Sequence, residues 1–387
     1  MEDFVYQNTT KILFGRNAEQ KFASEVKAFA DRILLVYGGG SIKKNGLYNR
    51  IVKQLQDNDI YFVELGGVQP NPLLSLAKTG IELCRTHDLQ GILSVGGGSC
   101  IDTAKTIAVG VKYCGDVWDF YDGKAEAKTA LPIGVILTIP ASGSESSDSC
   151  VITNDSDANK RAMGSEFIVP RFAVLNPENT TSLSAYQTAC GIADIFSHLM
   201  ERYFTQVNHV DFTDRLLEAS MKTLLVNAPK VLKQLDNYDA RAEIMWAGTI
   251  AHNNLLNTGR IGDWASHMIE HELSGIYDIP HGAGLSIIFP AWMKYVCTHN
   301  KSRFIQFAVR VFDVDFPFDD EESIVYEGIN RLEAFFSAMG LPTRLHQMNI
   351  GNEMFAQMAN RCCKKGSVGH FIELHEKDVY QIYCLAK

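Results

Sequence analysis

The chain has 387 residues, 46% apolar and 21% charged, with a formal net charge of −9. That length exceeds one ordinary core and sets two domains as the expectation, while the composition is that of a globular protein and excludes collagen-like or disordered classes. The acidic balance excludes a nucleic-acid partner, because phosphate binding needs a basic surface, and no apolar run approaches the ~20 residues of a membrane span.

The opening stretch MEDFVYQNTT is acidic and lacks the basic start and apolar core of a secretory signal. The nine cysteines include one adjacent pair, Cys362 and Cys363, and no CxxC spacing, which fits reduced thiols rather than a disulfide framework. Cytoplasm is the expected location. RILLVYGGG (32–40) predicts a buried strand stopped by glycines, and LYNRIVKQLQDN after it has helical spacing. IYFVELGG (60–67) predicts a second strand, LLSLAKTGIELCRTHD a helix, and GILSVGGGSCIDTAKTIAVGV a strand, a Gly-rich turn and a helix. LPIGVILTIPASGSESS predicts another strand running into a Gly/Ser turn. Strands alternating with helices imply an α/β domain over residues 1–182, built of parallel βαβ units.

The pattern changes near LNPENTTSLS (175–184), where Pro177 and a polar cluster interrupt it. SAYQTACGIADIFSHLMERYFT, FTDRLLEASMKTLLVNAPKVLKQL and ARAEIMWAGTIAHNNLLNTG all read with a period near 3.6, so residues 183–387 are expected to form an all-helical domain. The acidic segment DVDFPFDDEES (313–323) reads as a solvated loop between helices.

Three turns follow strands in the first half: YGGGS (37–41), VGGGSCIDTAK (95–105) and TIPASGSESS (138–147). Glycines there allow close backbone approach, and a following helix presents free N–H groups to phosphate. None is GxGxxG, and one GGGS alone fits a plain tight turn equally well. Three such turns at strand ends line one edge of a sheet, where open α/β sheets bind ligands, and this supports a nucleotide without saying which. Gly38, Gly39, Gly40 and Ser41 are followed by Lys43 and Lys44 with no acid, which suits a 2′-phosphate; a solvated first helical turn also accounts for the lysines.

The second half holds DWASHMIEHELSGIYDIPHG (263–282), in which His267 and His271 stand four apart on one helical face. Asp194 and His198 have the same spacing upstream, and His281 follows Pro280 and precedes Gly282, which reads as a fixed bend delivering the ring. Asp194, His198, His267 and His281 would suit a divalent metal such as Fe²⁺ or Zn²⁺. His271 lies one turn beyond His267, near that metal but not needed by it. His87, His209, His252, His299, His346, His370 and His375 lack a partner at useful spacing, and Glu201 and Glu270 read as ordinary polar support.

With GGGSCIDTAK, ASGSES, DIFSH and SHMIEHELSGIYDIPHG in that order, the chain resembles the iron-containing (group III) alcohol dehydrogenases, most closely their bacterial NADPH-dependent butanol dehydrogenase and aldehyde reductase branch. The resemblance runs from TTKILFG (9–15) to the C-terminal helices. It implies a Rossmann-like domain with a parallel sheet followed by an all-helical metal domain, a dehydroquinate synthase-like architecture with the active site in the cleft. It also implies that Asp194, His198, His267 and His281 are the metal ligands and that His271 is an additional active-site histidine near the nicotinamide. The implied cofactor contacts are Gly38 to Ser41, Asn71, Gly97, Gly98, Ser99, Asp102, Thr138, Ser142, Ser147 and Lys160. The Asp that marks NAD-preferring members after the first strand is missing, which favours NADP(H) over NAD(H). Ser142 stands where many members have Thr, Ser149 where some have an Asn near the nicotinamide, and Asn176 where an Asp is usual.

The implied activity is metal-dependent, NADP(H)-linked interconversion of primary alcohols such as butanol with their aldehydes, in a homodimer. His271, with an ordinary imidazole pKa of about 6.5, is the candidate proton relay; the alternative is that it only hydrogen-bonds to cofactor or water. A polyol dehydrogenase of glycerol or propanediol type shares the fold. A dehydroquinate synthase would need a basic cluster beside the ligands, which the sequence lacks. A non-catalytic nucleotide- or metal-binding sensor or scaffold would need neither an open coordination position nor a relay.

Overall fold

The computed structural model describes residues 1–316 and 320–387, so Pro317 to Asp319 of the acidic segment lie outside the described residues. The chain forms two compact units, one of residues 7–183 with 236–253 and the other of residues 1–6, 184–235 and 254–387.

The first unit carries β1 (Lys11–Phe14), β2 (Arg32–Gly38), β3 (Tyr61–Val68), β4 (Gly91–Gly96), β5 (Ile133–Leu137), the hairpin β6 (Ser149–Asn154) and β7 (Asn159–Gly164), and β8 (Phe172–Leu175). Its helices are α1 (Phe22–Lys27), α2 (Ser41–Lys44), α3 (Leu47–Asp57), α4 (Leu74–Thr86), α5 (Gly98–Val111) and α6 (Trp118–Asp122). Six strands form a parallel sheet in the order β1-β8-β5-β4-β2-β3. Pleating sends alternate residues of β2 to opposite faces: Leu34 and Val36 join one apolar cluster, Ile33 and Leu35 another. Both faces are covered, which is why these strands read as continuous apolar runs rather than alternating ones. From β2 the chain crosses outward to β3, and from β4 it crosses the other way to β5, so the adjacent β2 and β4 diverge at their carboxyl ends. That divergence is a topological switch point, the crevice in which open α/β sheets take ligands.

Asp236–Asn253, which contains α9, packs with the α/β unit and not with the helical half that its periodicity predicts. Thr249 Oγ1 donates to the buried Glu145 at 2.6 Å, and Arg241 Nη1 donates to Thr180 Oγ1 at 3.2 Å. Period identifies a helix but not the neighbour its apolar face will meet.

The second unit is helical: α7 (Ala185–Tyr203), α8 (Asp211–Lys233), then, past α9 (Tyr238–His252), α10 (Ala265–Tyr277), α11 (His281–Val296), α12 (Lys301–Phe312), α13 (Glu321–Ala338), α14 (Phe355–Cys362) and α15 (Glu376–Leu385). Ser184 and Gln187 cap α7 reciprocally. Among the described residues no helix is long and apolar enough to cross a membrane. α11 packs against both α7 and α10.

Candidate metal and dinucleotide sites

Asp194 and His198 lie one turn apart on α7, His267 sits in the first turn of α10, and His281 opens α11 after Pro280. Asp194, His267 and His281 each bring one ligand atom within 4.8 Å of the others. Asp194 Oδ1 stands 3.7 Å from His198 Nδ1, 3.9 Å from His267 Nε2 and 3.8 Å from His281 Nε2. The His198 ring lies against that of His267 with centroids 4.7 Å apart. Ligands at about 2.1 Å from a common ion in a tetrahedral site are about 3.4 Å apart, so the distances from Asp194 Oδ1 are only slightly wider than in a filled site, while His198 stands outside the compact group of Asp194, His267 and His281. Asp194 Oδ1 and His267 Nε2 are buried with no hydrogen-bond partner among the described residues. Two buried polar atoms facing one point are costly unless something fills that point, and a carboxylate with neutral imidazoles suits Fe²⁺ or Zn²⁺.

The far side of the imidazoles is equally specific. Glu201 Oε1 accepts from His267 Nδ1 at 2.7 Å and from His267 N at 3.0 Å, while its Oε2 accepts from Trp264 N at 2.6 Å. Glu270 bonds His281 Nδ1 and accepts from Ser274 Oγ. A carboxylate on Nδ1–H fixes the tautomer and points the Nε2 lone pair inward. Burial opposes a charge on His267, but Asp194 and Glu201 outweigh it and hold its pKa at about 9 in the absence of a cation. Asp263, buried and near Glu201, has its carboxyl pushed up to about 7; it accepts from Ala265 N, His370 N and Phe371 N and so anchors the start of α10. A second group, Glu270 with His271 and His281, is equally compact. Its carboxylate is already engaged by Ser274 and His281, whereas Asp194 Oδ1 is not, so the Asp194 group fits an ion better. The His271 ring stands 5.5 Å from that of His281.

Glu201 and Glu270 therefore hold the His267 and His281 imidazoles directly, more than the general polar support expected of them. Their spacing three residues after His198 and His267 placed them on the same helical faces; only the contact identifies the task.

Close packing sets the ring of His281. A Cβ on Gly282 would stand 2.0 Å from Cys190 O, and one on Gly284 would stand 2.3 Å from Glu270 Oε1. Gly282 is a contact residue between α11 and α7 rather than the bend expected from sequence, since it lies within the helix.

In the α/β unit most of the expected cofactor residues follow β2, β4 and β5. Gly38 ends β2, Gly40 takes φ +102, and Ser41 begins α2. Gly97 caps α5, and Gly98 and Ser99 form its first turn. A Cβ on Gly98 would lie 2.3 Å from Ser142 Oγ, so the loops after β4 and β5 touch there. Thr138 continues β5 and donates its N–H to Gly96 O at 3.0 Å. Asn71 Oδ1 accepts from Lys160 Nζ, on β7, at 2.9 Å. Asp102 is buried beneath these loops, with Ser144 Oγ at 2.6 Å on one oxygen and Val151 N at 3.0 Å on the other.

Two residues here were not singled out from sequence. Lys105, fully buried, donates to Ser147 O and Ser149 O, both at 2.8 Å, and lies 3.3 Å from Ser147 Oγ. His252 Nε2 bonds Ser149 Oγ at 2.9 Å, giving a partner to a histidine that had none at useful spacing. Both contacts join segments far apart in the chain, so spacing carries no sign of them.

Comparison with known proteins gives a consistent result. The profile of the iron-containing alcohol dehydrogenases matches residues 9–177, and that of the Fe-containing alcohol dehydrogenase family C-terminal domain matches residues 188–386. The chain is 44% identical to a probable NADH-dependent butanol dehydrogenase of Bacillus subtilis, over 99% of both chains. It is 36% identical to an NADPH-dependent aldehyde reductase of Escherichia coli, over 90% of both. The crystal structure of an NADH-dependent butanol dehydrogenase A from Thermotoga maritima superposes with a TM-score of 0.96 at 37% identity, covering 100% of this chain and 99% of that one.

Proposed function

The chain belongs to the iron-containing alcohol dehydrogenase family, and from that premise we propose that it interconverts small primary alcohols, butanol among them, with their aldehydes, using NADP(H) in preference to NAD(H). The observation that carries the chemistry is Asp194 Oδ1 facing three imidazole nitrogens at 3.7–3.9 Å, with Glu201 and Glu270 behind two of the rings. When bound, Fe²⁺ or Zn²⁺ supplies Lewis acidity toward a carbonyl or hydroxyl oxygen, and the nicotinamide supplies or accepts the hydride.

The chain's own residues have separate tasks in this reading. Asp194, His198, His267 and His281 hold the metal, and Glu201 keeps the His267 proton on Nδ1. Gly38 to Ser41, Gly97, Gly98, Ser99, Thr138, Ser142 and Ser147 line the strand ends where a dinucleotide lies, and Asn71 and Lys160 form a polar pair after β3. Asp102 braces the loop after β5 from beneath. His271 exchanges the proton that accompanies hydride transfer. The nine free cysteines support a cytoplasmic location, and the family resemblance suggests a homodimer.

The NADP(H) preference rests on the acid-free turn Gly38–Ser41 followed by Lys43 and Lys44. A second reading, use of NAD(H), is favoured by a carboxylate that sequence reading did not place there: Glu64, on the neighbouring β3, lies 3.7 Å from Lys43 Nζ. The butanol dehydrogenases named above are NADH-dependent, the aldehyde reductase NADPH-dependent.

Purified protein stripped of metal and reloaded with Fe²⁺ or Zn²⁺ is expected to oxidise NADPH with butanal, with NADH slower. A faster reaction with NADH overturns the cofactor preference and leaves the metal chemistry standing. No oxidation of either cofactor, with any metal or with a panel of aldehydes, overturns the enzyme reading in favour of a binding protein.

A further inference from the structure

The edge of the switch-point turn that faces β3 carries a built charge cluster. Glu64 lies opposite Leu35 in the parallel register of β2 and β3. Its Oε2 accepts from Tyr37 Oη and its Oε1 from Tyr48 Oη, each at 2.6 Å. The two phenol rings meet edge to face with centroids 5.9 Å apart, and Gly66 leaves the room that the Tyr37 ring occupies, since a Cβ there would stand 2.8 Å from it. Lys43, three residues past Gly40, spans this pocket: its Nζ is 3.7 Å from Glu64 Oε2 and lies over the rings of Tyr37 at 4.9 Å and Tyr48 at 4.6 Å. Two short phenol hydrogen bonds keep Glu64 ionised and fixed, and Lys43 is thereby held over the same spot.

We propose that Glu64 is a specificity-determining residue of the cofactor site: it neutralises Lys43 beside the Gly38–Ser41 turn and so limits the advantage of a 2′-phosphorylated over an unphosphorylated dinucleotide. The proposal rests on the reading of that turn as the adenosine end of the cofactor site. A 2′-phosphate brings ~1.5 to 2 negative charges, comparable to a phosphorylated side chain, and discriminates by the net charge it meets. Lys43 and Glu64 together present none, and Lys44 is left as the neighbouring cation. The side chains are half-exposed, at 49% for Lys43 and 35% for Glu64, so the effect is moderate and screened by salt. The tyrosines give Glu64 its position, and the carboxylate gives the cluster its charge balance. A purely structural Glu64 would show only the first of these.

The test compares dissociation constants of NADPH and NADH, followed by nicotinamide fluorescence, in the full chain and three variants. Glu64→Gln keeps a side chain able to bond both phenols and leaves Lys43 unopposed, so the preference for NADPH should rise about tenfold at low salt. Lys43→Met leaves Glu64 unopposed and should lower the preference, and the double variant should return near the parent. Raising the salt to about 0.5 M should shrink the spread among all four proteins. An unchanged preference in Glu64→Gln, or a spread that salt does not reduce, overturns the charge role. A parent protein that favours NADH refutes only the NADP(H) preference, because the order of the variants still decides on Glu64. A parent that binds neither nucleotide refutes the cofactor reading and this inference with it.

Discussion

Glu201 satisfies three donors at the start of α10 with one carboxylate: Trp264 N, His267 N and His267 Nδ1. It thus caps that helix from outside and fixes a ligand's tautomer in the same contact. Without a cation, His267 keeps a proton to about pH 9, burial being outweighed by Asp194 and Glu201; a metal at Nε2 takes the place of that proton. Glu201→Gln retains a carbonyl acceptor in place of one carboxylate oxygen but removes the charge, and metal affinity should fall ~10- to 100-fold, read by competition with a chelator. Equal affinity in the variant would sink the role assigned to Glu201. His271→Ala makes the opposite prediction, with metal content intact and turnover lowered; unchanged turnover removes the relay. Asp194 with His198 and His267 with His271 show as i, i+4 pairs in the sequence, and His281 by its place after Pro280. Glu201 was visible only as a neighbour, because its work depends on how α7 meets α10.

At the scale of elements, the helix pair α7 and α11 approaches closely enough that Gly282 lies on Cys190 O. The obstacle is backbone, which cannot rotate away as a side chain can. Gly282→Ala is therefore expected to push α11 outward, costing about 1–3 kcal/mol of stability as an overpacking change, and to weaken metal binding by displacing His281. Urea unfolding and metal content, measured on the same preparation, check this; a fully stable variant with full metal content would show that α11 is not held by this contact. Short apolar stretches running into glycine or a Gly/Ser turn made β2, β3, β4 and β5 legible in advance. β1 and β8 have four residues each, too few to display a period, and the hairpin β6–β7 is joined by a polar turn that interrupts it. α9 was legible as a helix but not as a part of the α/β unit, since Glu145, Thr180 and Ser149 receive it from distant segments.

For the whole molecule, the excess of 45 acids over 36 bases suggests a stability that simply follows net charge, but the buried ion pairs of the helical unit point elsewhere. Asp214 is gripped by Arg260 at 2.8 Å, Arg303 at 2.6 Å and Gln306 at 2.9 Å. Burial raises its pKa, yet these partners, Arg303 foremost, bring it below the ordinary value. Glu333 is lowered in the same way, with burial opposed by Arg344 and Lys294. A carboxyl whose folded pKa is depressed contributes stability above its unfolded pKa, about 3.9 for Asp, and loses it as pH falls through the folded value. Acid should therefore destabilise the chain below about pH 4, and not at the isoelectric point of 5.7. Asp214→Asn separates this from net charge. At pH 7 it leaves two buried guanidinium groups without their carboxylate and should cost about 3–5 kcal/mol. The gap to the parent should begin to narrow below about pH 4, because the unfolded parent's Asp214 takes up a proton before the folded one does. Urea midpoints at pH 7, 5 and 3.5 read this directly. A gap as wide at pH 3.5 as at pH 7 would show that Asp214 contributes packing and hydrogen bonds, not charge, and would place the acid sensitivity of the helical unit in other groups.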